Sequence, residues 1–402
     1  MTQAVSAPVK QPTPARYQRQ GAAAWFADRA EQLGVPVSVT FQITDRCNYR
    51  CAHCYETHGE AEELSTGEIK RILGEIAAAG VLFLTLTGGE VFMRRDLDEI
   101  LVEARRLQFA VRLYTTGHFV DKERARRLKE LAIQEVHLSL YAPDAQTHDA
   151  VTLMPGSFER TVAAARRLRA ENVFVVLKSP VMAGNVRKVE AYRALVTELD
   201  CKYAMDPTLT TREDGERSPL HLRPSAEDLT QFFATYDTEI RAPDPAPFDY
   251  AAQNRTGPCS IGRTSCSINP QGLVFGCASL PVPVGDLRKD RFASVWRDSP
   301  QLSRLRSITW GDLAICNTCE VRPYCSRCHA MALLEDGNML GPSTESCRQA
   351  VAARESLRQR GLIAADAPAP LPPPLRDGAK PDRHRSEPLA YGFRPAGLRV
   401  IY

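Results

Sequence analysis

Between residues 37 and 207 the chain alternates short runs rich in β-branched and aromatic residues with longer stretches whose apolar positions recur at helical spacing. The runs VSVTFQIT (37–44), VLFLTLT (81–87), FAVRLYTT (109–116), EVHLSLY (135–141), VFVVLKSP (173–180) and CKYAMDP (201–207) predict six strands. Of the stretches between them, STGEIKRILGEIAAAG (65–80) is the clearest helix, with Ser65 as N-cap, Glu68 completing a capping box and Gly80 marking the C-terminus. GSFERTVAAARRLRAEN (156–172) likewise keeps its apolar residues on one face. Six strand–helix units in series imply a parallel sheet with right-handed crossovers, built either as an open barrel or as a doubly wound sheet. Both architectures put their chemistry at the carboxyl ends of the strands.

The pattern fades after about residue 210. TREDGERSPLHLRPS reads as a polar loop, a helix is expected over 225–240, and RAPDPAPFDY reads as a proline-rich linker. A further helix (348–360) precedes AADAPAPLPPPLRDGAKPDRHRSEP, which reads as extended or polyproline chain. The closing LAYGFRPAGLRVIY regains apolar character and is expected to dock back as a strand. The boundaries that follow are an N-terminal extension (1–36), an α/β core (37–240), a linker (241–258), a cysteine-rich domain (259–350) and a Pro-rich tail (351–402).

Composition narrows the chemistry. At 402 residues the chain suits two domains plus tails. A net charge of +3 gives no electrostatic case for nucleic acid or an anionic membrane as partner. No apolar run spans a bilayer and no signal peptide opens the chain, so a cytoplasmic protein is expected. In that reducing compartment clustered thiols are more often metal ligands than disulfides. The twelve cysteines are clustered: Cys47, Cys51 and Cys54 near the start, Cys201 alone, and eight from Cys259 to Cys347.

The first group falls just after the first strand, at the active end of the sheet. A structural zinc site needs four protein ligands, and His53 or His58 could serve as the fourth. A 4Fe-4S cluster held by only three cysteines keeps one iron open to a small molecule. The segment TGGE (87–90) ends the second strand, where paired glycines let backbone approach a ligand.

CNYRCAHCYE, TGGE, YTTGH and SLYAPDAQTHD, in this order and on these strands, resemble the radical S-adenosylmethionine (SAM) enzymes over about residues 37–210. The resemblance implies a partial (β/α)6 TIM-like barrel. It also implies a 4Fe-4S cluster on Cys47, Cys51 and Cys54 whose open iron binds SAM. Reductive cleavage of SAM then gives a 5′-deoxyadenosyl radical that abstracts hydrogen from a substrate. By the same resemblance Gly88, Gly89 and Glu90 line the methionine moiety, Thr116 lies in the turn after the third strand, and Ser139 contacts SAM. Lys178, ending the fifth strand, is placed to reach the SAM carboxylate or ribose, or else to serve structure or substrate. Thr152 stands where many relatives carry a SAM-holding arginine.

Downstream, CNTCEVRPYCSRC (316–328) taken by itself is compatible with a zinc ribbon, while eight thiols suffice for two four-ligand clusters. The hairpin NPQGLVFGC (269–277) ahead of this run resembles the SPASM extension of radical SAM maturases. That resemblance assigns Cys259, Cys266, Cys277 and Cys328 to one auxiliary cluster and Cys316, Cys319, Cys325 and Cys347 to a second. Such clusters, closed by cysteine, would move electrons. Cys201 is left as a buried strand residue. The extension points to a precursor peptide as substrate. Ala278, where sulfatase maturases carry an aspartate base, argues against that alternative, and a small-molecule substrate and a zinc-binding interaction protein stay open. Only 46 residues precede Cys47, too few for a winged-helix leader-binding domain, so a separate small leader-recognition protein is expected, with a flavodoxin or ferredoxin as electron donor.

Overall fold

A computed structural model describes residues 22–57, 61–236, 248–363, 372 and 375. Helix α1 (Ala22–Gln32) precedes six strands: β1 (Ser38–Gln42), β2 (Phe83–Thr87), β3 (Ala110–Thr115), β4 (Glu135–Ser139), β5 (Val175–Pro180) and β6 (Lys202–Asp206). The crossovers carry α2 (Thr66–Ala78), α3 (Leu97–Arg106), α4 (Lys122–Glu130), α5 (Ala145–Thr152), α6 (Ser157–Ala170) and α7 (Val189–Glu198), and α8 (Ala226–Thr235) follows β6. The six strands are parallel and neighbour one another in sequence order. A doubly wound sheet reverses its order at a switch point; this one does not, so the fold is the partial barrel.

Local chemistry accounts for the elements. Ser65 caps α2 as expected: its hydroxyl accepts from the Glu68 amide (3.3 Å) while Glu68 accepts from the Ser65 amide (2.8 Å). On β3 the side chains alternate, with Val111, Leu113 and Thr115 buried against the helices and Arg112 and Tyr114 half-buried on the opposite, lumen-facing side. Cross-strand partners on that side are Arg112 with Glu135, Tyr114 with His137, and Ser139 with Lys178. The barrel interior is therefore lined by polar groups.

The cysteine-rich region does not stand apart. After α9 (Tyr250–Gln253), strand β7 (Ser265–Ile268) pairs in parallel with β1, and β8 (Leu273–Phe275) and β9 (Pro283–Asp286) follow antiparallel, making one nine-stranded sheet. Helices α10 (Phe292–Asp298), α11 (Pro300–Ser307), α12 (His329–Asp336) and α13 (Thr344–Gln359) complete the described chain. A single apolar cluster runs from Val39 to Ala353. The helix expected over 348–360 begins earlier, at Thr344, because Ser343 caps it by accepting from the Ser346 amide (3.2 Å). The helix expected over 225–240 is α8; residues 237–240 and the expected tail strand lie outside the described residues.

The shared sheet makes the two halves one folding unit. Ser267→Pro, in a strand paired on both sides, should cost roughly 3 kcal/mol or more. Melting followed by far-ultraviolet circular dichroism should show one lowered transition; two separate transitions would contradict the shared sheet.

Candidate active site

The chain leaves β1 through Ile43, Thr44 and Asp45 into the three-cysteine loop. Glu63 fixes this exit by accepting from the Thr44 hydroxyl (2.7 Å) and the Asp45 amide (2.9 Å). Buried Arg94 braces it from below, donating to the carbonyls of Ile43 (2.8 Å) and Leu64 (3.1 Å) while its other nitrogens pair with Asp96 (2.7 and 2.9 Å). The loop after β2 lies directly against it: the Gly89 amide donates to Thr44 O (2.9 Å) and the Glu90 amide to Arg46 O (2.8 Å). A Cβ on Gly88 would fall 2.3 Å from Thr44 O, and one on Gly89 2.4 Å from Arg46 O and 2.8 Å from Cys47 Cβ. The two glycines thus serve first to let one loop touch the other, a role the sequence reading had given to ligand approach.

Glu90 is fully buried and fully engaged. One oxygen accepts from the Thr115 hydroxyl (2.7 Å) and the Phe92 amide (3.1 Å), the other from the Thr116 amide (2.7 Å) and hydroxyl (2.6 Å). The side chains of Glu90 and Thr116 therefore hold each other, and what these segments offer a ligand is backbone. Tyr49 OH lies 3.1 Å from His118 Nδ1, tying the cysteine loop to the turn after β3.

Cys47, Cys51 and Cys54 sit in an apolar sleeve with Tyr49, Tyr141, Met182 and Leu209. Burial pushes the Cys47 thiol up to about 11 and those of Cys51 and Cys54 up to about 12; the charges of Cys54 and Cys47 add to the effect at Cys51. Three neighbouring buried thiols hold no stable negative charge by themselves, so thiolate there calls for a bound cation. His53 does not close the set. Its ring meets Tyr141 edge-on at 4.5 Å, and burial lowers it to about 4. Among the described residues no group of three or more His, Cys, Asp or Glu side chains is arranged to hold a single metal ion. His58 lies outside them. Three thiols on one loop, walled by apolar residues, are a donor set that suits an iron-sulfur cluster.

Ser139 ends β4 two residues before Tyr141, whose hydroxyl is held well above the usual phenol range by burial and the Cys51 charge. Lys178, its neighbour on β5, donates to Tyr114 OH (3.3 Å) and lies over that ring at 4.7 Å. Tyr114 stacks on His137 (4.7 Å), His137 Nε2 donates to Glu135 (2.8 Å), and Glu135 pairs with Arg112 (2.7 Å). Thr152 is buried with its hydroxyl 2.7 Å from that of Ser157, so it takes no place at the mouth.

Residues without a sequence role also belong here. Asn185 ties the ends of β4 and β5 by donating to the carbonyls of Tyr141 (2.8 Å) and Pro180 (2.9 Å). Glu56, beside Cys54, is pushed up to about 8 by burial and then by the Glu213 charge, and it accepts from Gln42 (3.2 Å). Glu56 closes the CNYRCAHCYE motif, where the cysteines alone were given a role, and Asn185 lies in no motif.

Downstream, the thiols sort by whose charge each feels. Cys259 is raised by burial and then by Cys277 and Cys328; Cys347 is raised by burial and then by Cys325, Cys316 and Cys319. Cys328 therefore lies near Cys259 and Cys277, and Cys316, Cys319 and Cys325 lie near Cys347. Cys266 joins neither: it lies in β7 at 3% exposure, and Arg306 is the one charged group among the described residues that acts on it. Of the four cysteines expected in the first set, Cys259, Cys277 and Cys328 feel one another's charge and Cys266 does not. Cys201, expected as a buried strand residue, is half-buried and immediately precedes β6.

The profile of the radical SAM superfamily matches residues 41–193, and that of the SPASM iron-sulfur cluster-binding domain matches residues 259–329. The chain is a radical SAM protein with a SPASM domain. Iron-sulfur clusters and SAM are its cofactors. This radical SAM protein is 28% identical to the AdoMet-dependent heme synthase of Methanosarcina barkeri over 76% of this chain and 94% of that one. It is 28% identical to the PqqA peptide cyclase of Gluconobacter oxydans, over 74% and 87%. Its fold is similar to that of Streptococcus suis SuiB bound to precursor peptide SuiA, with a TM-score of 0.62, 14% identity, and 84% and 83% of the two chains covered.

Two outcomes follow for the radical SAM core. Gly89→Ala should drive the β2 loop off Arg46 and Cys47 and lower bound iron by about four per chain. Gly74→Ala, mid-helix with open space at its Cβ, should leave iron unchanged and add about 0.5–1 kcal/mol of stability. Iron assay and melting check both.

Burial also lowers His137 and His148 to about 4, so both are neutral at pH 7. The unfolded chain then takes up their protons more readily than the folded one. Their contribution is intact above about pH 6.5 and is lost as pH falls from there towards 4, at about 1.4 kcal/mol per pH unit for each fully titrating group. Urea midpoints against pH should show this fall, and His148→Gln should flatten it.

Proposed function

We propose that this radical SAM enzyme abstracts hydrogen from a peptide and so matures a ribosomally made precursor. The observation that carries the reading is the three-thiol loop held by the Gly88–Gly89 contact at the mouth of a polar-lined barrel. Cys47, Cys51 and Cys54 hold a 4Fe-4S cluster, and the backbone of Gly88, Gly89, Glu90 and Thr116 lines the SAM site, with Ser139 and Lys178 reaching it from β4 and β5. When bound, the cluster and SAM supply the 5′-deoxyadenosyl radical.

The chain's own residues hold and shield the substrate. Tyr49, Tyr141, Met182 and Leu209 keep water from the thiols. Below them Arg112, Glu135 and His137 form a fixed polar ladder. Because Nε2–H of neutral His137 donates to Glu135, its Nδ1 keeps a lone pair, and that nitrogen is buried without a partner beside the lumen.

Support for a peptide comes from the likeness to PqqA peptide cyclase and to SuiB, bound to its precursor. The likeness to a heme synthase favours a second reading, a tetrapyrrole substrate. A separate leader-recognition protein and a flavodoxin- or ferredoxin-type donor complete the first reading. No helix among the described residues is long and apolar enough to cross a membrane.

Iron, sulfide and zinc per chain after anaerobic reconstitution test the cofactor half. We expect about 12 irons for three clusters and about 8 after joint replacement of Cys47, Cys51 and Cys54 by alanine. About 4 irons with zinc present would replace the auxiliary clusters by a zinc module. SAM cleavage coupled to a mass change in a precursor peptide, and not in a tetrapyrrole, supports the peptide reading; the converse overturns it.

A further inference from the structure

The short gap between Cys325 and Cys328 carries the chain from one group of downstream thiols to the other: Cys325 lies near Cys347, and Cys328 near Cys259 and Cys277. Three residues span at most about 11 Å, so the two groups approach closely here, and Arg327 stands inside the crossing. Ser346, next to Cys347, holds the crossing in place, its hydroxyl accepting from the Cys328 amide (3.2 Å) and donating to Ser326 O (3.4 Å).

Arg327 is 3% exposed, and no carboxylate among the described residues pairs with it. Its Nη1 donates to His329 Nδ1 (2.8 Å) and its Nη2 to the carbonyls of Met339 (2.6 Å) and Gly341. Its Nε–H is buried with no acceptor among the described residues. His329 repeats the pattern. A guanidinium only donates, so His329 Nδ1 has to accept, although Met339 O also lies 3.1 Å from it. The ring proton is therefore on Nε2, and that atom too is buried without a partner. A buried cation with no carboxylate and two such donors in one hydrogen-bonded pair call for an anionic acceptor beside them.

The thiols are where that anion forms. The Arg327 charge reaches both groups, Cys259 and Cys328 on one side and Cys316 and Cys325 on the other. Arg322 differs: buried over the Trp310 ring at 4.4 Å, it acts on Cys316, Cys319 and Cys325, all of the group near Cys347.

Resting on the reading that this region holds 4Fe-4S clusters, we propose that Arg327 is a redox-tuning residue shared by the two auxiliary clusters, one buried guanidinium that raises both reduction potentials at once. Reduction adds an electron to a cluster that is already negative, and a fixed positive charge with N–H donors to sulfur favours the added charge. A guanidinium keeps its proton, so the effect holds at every working pH. Because the shift applies to both clusters, it leaves the step between them unchanged and moves the pair as a unit relative to the SAM-binding cluster.

The test uses the full chain with Cys47, Cys51 and Cys54 replaced by alanine, so that only auxiliary clusters contribute, in a potentiometric titration followed by electron paramagnetic resonance. Arg327→Gln should make reduction of both clusters at least tenfold less favourable, a fall of about 59 mV or more in each midpoint. Arg327→Lys, which keeps the charge, should recover most of that fall, and Arg322→Gln should lower one midpoint and leave the other. Nitrogen-isotope labelling of the arginine side chains should change the nitrogen coupling on both signals in pulsed spectra. That measurement is made with Arg327 in place, so it decides the proposal even where Arg327→Gln loads no iron. Midpoints unmoved in an iron-replete Arg327→Gln protein overturn the proposal. So does a shift confined to one cluster, a lysine variant as low as the glutamine one, or an arginine coupling missing from either signal. Zinc in place of iron before any titration would instead overturn the iron-sulfur reading beneath it.

Discussion

The approach of two backbones at the barrel mouth governs most of what surrounds it. The β2 loop reaches the cysteine loop closely enough for two amide–carbonyl hydrogen bonds because Gly88 and Gly89 put no side chain between them. That contact sets Cys47 and turns Glu90 inward. Glu90 in turn fixes Thr115 and Thr116 at the end of β3. Three strand ends are thereby registered against one another by short-range bonds, and the remaining backbone is presented to a cofactor on a rigid frame. The turn of the β7–β8 hairpin joins this frame: Gln271 donates to Asp45 (2.7 Å) and the Leu64 amide donates to Pro270 O (2.7 Å).

Charge explains why the frame has to be so well braced. Buried thiols resist ionisation, and here burial dominates the shift at each of Cys47, Cys51 and Cys54. The ligand set becomes anionic only as metal arrives, so assembly of the cluster and completion of the fold are linked. Downstream the chain supplies part of the counter-charge itself. Arg322 acts on Cys316, Cys319 and Cys325 while lying over the Trp310 ring at 4.4 Å, and Arg327 acts on thiols of both groups. Buried guanidiniums held by carbonyls and aromatic faces are fixed charges that partly offset several thiolates without closing the iron positions.

The sequence made the local features legible and the long-range ones not. Period-two runs located β1–β6, Ser65 and Glu68 announced the start of α2, and the cysteine spacing marked both metal-binding regions. Tertiary partners decided the rest. Whether paired glycines face a ligand or another loop depends on what lies opposite, and Thr44 and Arg46 are over forty residues away from them. Cys266 was given a ligand role by resemblance; its place in a buried strand opposite Val39 could not be read from the sequence. The proline-rich linker marked where the second region begins, but not that β7 would complete the sheet along the free edge of β1. Strands of three or four residues leave too short a period to be read.

That edge pairing also bears on where the substrate lies. Neighbouring strands are spaced by about 4.8 Å, so β8, which leads into Cys277, runs roughly 10 Å from β1 across the sheet. The polar ladder of Arg112, Glu135 and His137 stands on the other side of β1, on β3 and β4. A substrate in the lumen would then have recognition groups on one flank and the downstream thiols on the other, with the three-cysteine loop above. A neutral imidazole with one nitrogen fixed by Glu135 suits that position, since it accepts a hydrogen bond without bringing a second charge beside Lys178 and Arg112, both of which act on it. Along one sheet, β1 and β2 thus present the three-cysteine loop and the glycine contact that holds it, β3 and β4 carry the polar ladder, and β7 and β8 lead into the downstream thiols.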